Sequence, residues 1–384
     1  MKKIVFISFL FAALTANALT LSDSCRMSLL TCSPSSEIYA RFGHTAIRIC
    51  DPANDIDYAY NYGIFDFDTD WFIPRFIHGA TDYQLGVTEM DYFLRSYAAR
   101  KSSVFEQVLN LNQSEKQALF DALEINYLPQ NRVYRYNFVY DNCATRPFVM
   151  ITKVLENQPI ISYSHPTTSY RGIINEFVGL NNWQRFGIDI LIGREADLPI
   201  HTAALIAFPK YTSVIMGSIT LENDIVSEPL ASESQALCYF PPILPSEKSI
   251  FSPIIICCLI ILFITFLSYW AWKNQRELIL LDFLLFFMSG ALGCVIFYLM
   301  FISSHPLVHQ NYNLLWLNPL NLIFAFLILK ESWRNPLKYY AILNAFAALI
   351  AIIIFATRYQ IMHPAFLPLI AIMLMRSALF FQRK

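Results

Sequence analysis

The chain has 384 residues, of which 55% are hydrophobic and 32 are phenylalanine, and its formal net charge is -1. That balance offers no basic field for nucleic acid and little charge for a soluble domain of this length. The positive mean hydropathy points instead to a membrane protein.

Residues 1–18 read as a secretory signal. Lys2 and Lys3 form the basic start, Ile4 to Ala13 the apolar centre, and Ala16-Asn17-Ala18 a small-residue cleavage site. The apolar run is short for a span, so cleavage and export are expected in place of a retained anchor. Residues 19–226 contain no run long and apolar enough to cross a bilayer and are expected to fold as a periplasmic domain. Strand-like stretches lie at 26–32, 44–50, 56–62, 83–87, 103–111 and 133–140. Helical stretches lie at 90–100, 115–126 behind a Ser114/Gln117 capping box, 144–156 and 170–178. The expected fold class is α+β with an antiparallel sheet. Residues 211–222 read as a late hairpin, and 227–252, rich in proline and serine, as a linker.

Residues 253–384 are expected to form a transmembrane domain of five antiparallel helices, near 253–272, 278–302, 314–329, 339–356 and 365–381. Lys273, Arg276, Lys330, Arg334, Lys338, Arg383 and Lys384 fall in the first loop, the third loop and the tail, whereas the other loops carry only Arg358. The excess of cations marks the cytoplasmic side and puts the N-terminal domain on the outer face. Arg376 falls inside the last segment, close enough to its cytoplasmic end to snorkel.

Two short segments carry chemistry. In Phe42-Gly43-His44-Thr45-Ala46-Ile47-Arg48, His44 sits on a strand; in Tyr140-Asp141-Asn142-Cys143-Ala144-Thr145-Arg146-Pro147, Cys143 sits at a strand-to-helix turn. A cysteine at a helix N-terminus meets free N–H groups and a dipole that favour thiolate, and a histidine can take its proton. If 44–50 and 56–62 pair with Ile49 opposite Ile56, Asn61 falls opposite His44 and orients the imidazole, with Asp57 in reserve. Arg48 and Arg146 are candidates for binding phosphate or carboxylate; Arg146 is equally placed to pair with Asp141. Taken singly, the histidine reads as a hydrogen-bonded core residue and the cysteine as half of a disulfide.

The other exported cysteines are Cys25, Cys32, Cys50 and Cys238, an odd set with Cys143, which suggests one thiol kept out of pairing. A Cys25–Cys50 bridge follows if their strands pair. On the same side of the membrane lie His305, His309, Asn311 and Asn313, followed by Asn318 and Asn321 at the outer end of the third span. They read either as a polar substrate floor beneath Cys143 or as interfacial anchors and helix caps. His305 and His309 lack a carboxylate partner, so no metal is expected.

The order of histidine on a strand before cysteine at a helix start resembles permuted papain-like enzymes, including relatives of lecithin:retinol acyltransferase. Together with Leu29-Leu30-Thr31-Cys32-Ser33-Pro34, Tyr60-Asn61-Tyr62-Gly63-Ile64-Phe65-Asp66-Phe67 and the 305–321 segment, the motifs resemble the Bacteroides-type lipoprotein N-acyltransferases, the Lnb family. Ser35 stands where that family usually has glycine. The resemblance implies a permuted papain-like periplasmic domain on a five-helix bundle in the bacterial inner membrane, needing no cofactor. It also implies that an acyl chain moves from a phospholipid, through a Cys143 thioester with His44 as base, to the α-amine of a diacylglyceryl-cysteine lipoprotein. The rival readings are a membrane-tethered peptidoglycan amidase or peptidase with the same pair, and a non-enzymatic membrane scaffold.

Overall fold

The computed structural model describes residues 19–382 except 36, 38, 39, 67, 223–226 and 243–249. Residues 1–18, which read as a secretory signal, and the basic tail residues Arg383 and Lys384 lie outside the described residues. The chain opens with three strands, β1 (Arg26–Cys32), β2 (His44–Asp51) and β3 (Ile56–Ile64), then α1 (Phe72–His78), β4 (Asp82–Glu89) and α2 (Met90–Ala99). Next come β5 (Val104–Val108), α3 (Gln113–Tyr127), β6 (Val133–Arg135), α4 (Thr145–Lys153), β7 (Pro159–Ile161), β8 (Thr168–Ser169), α5 (Tyr170–Val178) and α6 (Trp183–Leu191). The domain ends with β9 (Pro199–Ile200), α7 (Pro209–Met216), β10 (Ile219–Glu222), β11 (Ser227–Pro229) and β12 (Gln235–Cys238).

Among the described residues the main sheet has the order β12-β5-β1-β2-β3-β4-β6, with smaller sheets β11-β10-β7 and β8-β9, all antiparallel. Alternation along the strands separates two faces. Met27, Leu29, Ile47, Ile49, Tyr60 and Tyr62 pack with Leu119, Leu123 and Ile151 of α3 and α4. Leu30, Cys32, Ala46 and Ala59 lie beneath Phe93 and Tyr97 of α2. The expected α+β class is what the chain adopts.

Several local expectations change. The box at the start of α3 is built by Asn112 and Glu115, not Ser114 and Gln117. Residues 209–216 are helical because Pro209 supplies a preset φ at the first helical position, so the expected hairpin is instead a helix followed by one strand. Residues 227–238 add β11 and β12 to the sheets, so their prolines and serines do not make them a linker. Cys25 and Cys50 are both free and buried, and the register sets Arg26, not Cys25, opposite Cys50.

The C-terminal part holds α8 (Pro253–Lys273), α9 (Ile279–Phe301), α10 (Leu320–Ile328), α11 (Glu331–Thr357) and α12 (Phe366–Phe381). Among the described residues α8, α9 and α11 are long and apolar enough to cross a membrane, while α10 and α12 are shorter apolar helices. The expected third span contracts because Asn318 accepts from Leu320 N at 2.9 Å and Pro319 precedes the helix start. The nine residues left rise only roughly 14 Å. Arg376 does not snorkel. It is buried, with Nε 2.7 Å from Asp282 Oδ1 of α9 and Nη1 donating to Ser268 Oγ of α8 at 2.9 Å, so three helices share one neutralised polar cluster.

The two parts are joined by direct bonds. Gly193 N donates to Leu307 O at 2.8 Å, Arg194 N to Gln310 O at 3.1 Å and Ile361 N to Asp197 Oδ2 at 3.0 Å. A Cβ on Gly193 would collide with the His309 carbonyl, which explains glycine at this approach. Behind the junction, fully buried Arg171 bonds Asp189 at 2.5 Å and Asp197 at 2.6 Å.

Candidate active site

Cys143 stands one residue before the cap of α4, at a turn built by its neighbour. Asn142 is buried; its Oδ1 accepts from the N–H groups of Ala144 at 2.8 Å and Thr145 at 3.0 Å, and its Nδ2 donates to the carbonyls of Phe138 at 2.6 Å and Ala207 at 2.9 Å. Thr145 Oγ1 accepts in return from Asn142 N at 2.8 Å. These bonds satisfy two amides that a helix start leaves open and fix the direction of the Cys143 side chain.

His44 opens β2, and its Nε2 is hydrogen-bonded to Asn61 Oδ1 of β3. The register differs from the expected one: Ile49 faces Tyr58 and Ile47 faces Tyr60, so continuing the ladder sets Gly63 opposite His44. Asn61 is therefore a diagonal neighbour, still on the same face because the displacement is two residues. Asp57 is committed elsewhere, bonded twice by Arg48 at 2.7 Å.

Gly63 is where the two chemical groups meet. A Cβ placed on it would lie 3.4 Å from Cys143 Cβ and 3.5 Å from His44 Cε1, and its φ of +98° is one that side-chain-bearing residues rarely adopt. The bare backbone thus brings thiol and imidazole to one spot. Tyr97 lies near-parallel to His44, ring centroids 6.5 Å apart, with the Arg100 guanidinium 4.3 Å over its ring.

Burial dominates the electrostatics. It pushes the Cys143 thiol up from 9.0 to about 11, against backbone N–H donors of Thr45 and of Cys143 itself that pull down. It lowers His44 from 6.5 to about 4; the Asn61 bond opposes this and the Arg100 charge adds to it. The resting pair is neutral thiol and neutral imidazole, whereas a helix N-terminus alone suggests a thiolate. Burial holds Tyr83, Tyr134 and Tyr136 protonated, and a negative charge on Cys143 would push their pKa up further. The Tyr134 hydroxyl is buried and has no hydrogen-bond partner among the described residues.

The remaining sequence candidates have structural partners. Arg146 is paired with Asp141 at 2.6 and 2.8 Å and lies 3.6 Å over the Tyr134 ring. Arg48 bonds Asp57 and, at 3.0 Å, Glu106. His305 Nε2 meets Phe76 O at 2.6 Å and His309 Nδ1 meets Met300 O at 3.0 Å. Asn311 and Asn313 are buried, donating to Ile190 O at 2.8 Å and Asp189 O at 2.9 Å, while Asn321 donates to Ser289 Oγ at 2.8 Å. These bonds run to α6, α1 and neighbouring helices, not to the Cys143 turn. Among the described residues no cluster of three or more histidine, cysteine, aspartate or glutamate side chains could hold a metal. Sequence reasoning missed Asn142, Gly63, Tyr97 and Tyr134; the Asn142/Thr145 spacing was the one available signal, that of a helix cap.

Two family models match the chain, the Lnb N-terminal periplasmic domain over residues 15–176 and the Lnb transmembrane domain over residues 245–384. No curated protein and no solved structure matches it. Both parts of one family's architecture thus lie in order around the His44, Asn61 and Cys143 constellation, and the chain belongs to the Lnb family of lipoprotein N-acyltransferases.

Proposed function

We propose that this protein is a multi-pass enzyme of the bacterial inner membrane that N-acylates lipoproteins by a two-step thioester mechanism. The observation that carries the reading is the bond from His44 to Asn61 beside Cys143 at the side-chain-free position of Gly63. With Asn61 Oδ1 accepting from Nε2, the lone pair of His44 lies on Nδ1, the nitrogen that takes the thiol proton. The sulfur attacks an ester carbonyl of a phospholipid, His44 returns the proton to the departing lysophospholipid oxygen, and the acyl group stays on Cys143. The uncharged α-amine of a diacylglyceryl-cysteine lipoprotein then attacks the thioester. It loses a proton through His44, and the amide leaves as the thiol re-forms. The amides of Thr45 and Cys143, which already point at the sulfur, are candidate donors for the developing oxyanion, with the unpartnered Tyr134 hydroxyl as a further one.

The histidine-before-cysteine order supports a permuted papain-like domain, and the five apolar helices support five passes even though α10 alone is too short to span. Family membership favours acyl transfer over wall hydrolysis. The test is mass spectrometry of lipoprotein N-terminal peptides from cells that depend on this protein for N-acylation. Wild type yields triacylated peptides and Cys143→Ala diacylated ones. Undiminished triacylation in the variant removes Cys143 as nucleophile.

A further inference from the structure

Helix α1 is amphipathic in the reverse sense for a soluble domain. Ile73, Phe76 and Ile77, at i, i+3 and i+4, form an apolar face that is exposed, and Trp71 just before them is 78% exposed. The one charged side chain of α1, Arg75, folds back along the domain, its Nε donating to Ala80 O at 3.3 Å and its Nη2 to the partly exposed Asp82 at 2.6 Å. The helix is docked on the domain-facing end of α9. Ser304 N donates to His78 O at 2.8 Å, His78 Nδ1 meets Tyr298 OH at 3.0 Å and His305 Nε2 meets Phe76 O at 2.6 Å. Phe297, Phe301 and Ile302 at that end of α9 are exposed too, so the bare face of α1 continues the lipid-facing surface of a spanning helix.

From this face a row of rings leads inward. Phe76 stacks on Phe72 (centroids 6.1 Å apart, planes at 17°), Phe72 on Phe65 (6.0 Å, 19°), Phe65 on Tyr83 (4.8 Å, 23°) and Tyr83 on Tyr136 (4.1 Å, 18°). Tyr83 borders the same space as the thiol: a Cβ on Gly63 would lie 4.0 Å from Tyr83 Cδ2 and 3.4 Å from Cys143 Cβ. The row therefore leads from the exposed face of α1 to the edge of the Cys143 site over apolar ring faces. Continuity with α9 fixes the occupant as lipid: an aqueous partner gives no reason for Ile73, Phe76 and Ile77 to lie level with the exposed phenylalanines of a spanning helix.

Resting on the acyl-transfer reading, we propose that α1 lies in the outer leaflet as the entry through which a phospholipid acyl chain reaches Cys143, lying along the rings of Phe76, Phe72, Phe65 and Tyr83. The test uses the full-length protein in nanodiscs and the Ile73→Asp/Ile77→Asp variant, whose altered side chains face outward. Acylation of the Cys143 peptide is followed by mass spectrometry with bilayer phospholipid and with monomeric dihexanoyl phosphatidylcholine. The variant is expected to lose at least tenfold with bilayer donor and to change less than twofold with the monomeric one. Equal retention of both rates overturns the proposal. A second measurement needs no catalysis: a phospholipid carrying a diazirine on its acyl chain is photolysed with Cys143→Ala protein. Label on the peptide spanning residues 71–77 supports the entry even if the double variant is damaged, and label confined to other segments overturns it. Wild type acylated by neither donor, yet labelled at 71–77, would refute the thioester reading and leave α1 as a membrane contact.

Discussion

His44 and Asn61 are joined side chain to side chain from adjacent strands although the ladder sets Gly63, not Asn61, opposite His44. The diagonal bond holds the imidazole by one nitrogen and leaves the other free toward the space Gly63 vacates. Under the proposed mechanism, replacing His44 or Cys143 with alanine removes a reacting group and is expected to lower N-acylation by about 10³-fold or more. Asn61→Ala should lose about 10²-fold in kcat with little change in KM, because orientation is lost and the reacting groups remain. Asn61→Asp is the more telling variant. A carboxylate beside the ring raises the pKa of His44, so the acid limb of the pH profile should move to higher pH. Steady-state rates across pH check all four, and an unmoved acid limb in Asn61→Asp would remove the contact from the mechanism.

The thiol itself offers a pH signature. With Cys143 pushed up to about 11 and His44 down to about 4, the neutral pair persists across the intervening range. Carbamidomethylation of the Cys143 peptide by iodoacetamide should therefore be slow at pH 7 and climb through pH 9 and beyond. A rate already level below pH 8 would reveal a preformed thiolate–imidazolium pair. The stability sign runs with His44: the unfolded ring takes its proton near 6.5 and the folded ring near 4, so the unfolded state binds more protons between them. The His44 contribution is intact above about 6.5 and is lost as pH falls toward 4. His44→Gln should flatten the fall in melting temperature over that window.

Gly63→Ala tests the shared space. The added methyl meets Cys143 and His44 at ordinary contact distances, yet the backbone at φ +98° is strained by any side chain. A stability loss of about 1–2 kcal/mol is expected, with activity falling further than stability accounts for because the methyl occupies the space where the substrate carbonyl must lie. Thermal unfolding in detergent beside turnover measurements separates the two effects.

Asn313→Ala tests the junction. Its amide donates to Asp189 O and its Oδ1 accepts from Trp316 Nε1 at 3.2 Å, all within buried surroundings. Leaving those partners unmet should cost about 1–3 kcal/mol. If Asn313 is purely a fastener, KM for both substrates stays unchanged while the melting temperature drops. A KM rise at unchanged stability would return Asn313 to the substrate floor that its sequence position suggested.

How far the sequence was legible depended on periodicity. The side chains of β2 and β3 alternate with period two, so a register error of two residues left Asn61 on the correct face and the His44 pair intact. The same alternation does not say which cation finds which anion. The Arg146–Asp141 pair is one of the two readings the sequence offers and is the one found, whereas Arg48 reads only as a ligand binder and is paired with Asp57 and with Glu106 of a strand distant in sequence. Asn318 and Asn321 stand out in the sequence as costly in lipid, and Asn311 and Asn313 as groups on the same side of the membrane. Asn311 and Asn313 are met by α6, whose Asn182 cap went unnoticed, and Asn321 by Ser289 and Tyr340, so of the two readings left open, substrate floor or anchors and caps, these bonds favour fasteners. Gly63 was quoted within a motif, but the convergence of two side chains on it depends on three-dimensional approach that no spacing rule contains.

The bonds from Gly193, Arg194 and Asp197 to the 307–310 turn and to Ile361 set a height. They tie the N-terminal domain to the helical bundle at three points, which favours one depth for the thiol relative to the apolar helices. In the proposed reaction the acceptor lipoprotein hangs from the same bilayer by the diacylglyceryl group on its first cysteine, and its α-amine lies only a few bonds from that anchor. Lysine amines further along the acceptor chain lie at other heights. Under the proposed reaction the junction serves as a ruler, selecting the first amine of the acceptor by its distance from the membrane and requiring no pocket for the sequence that follows.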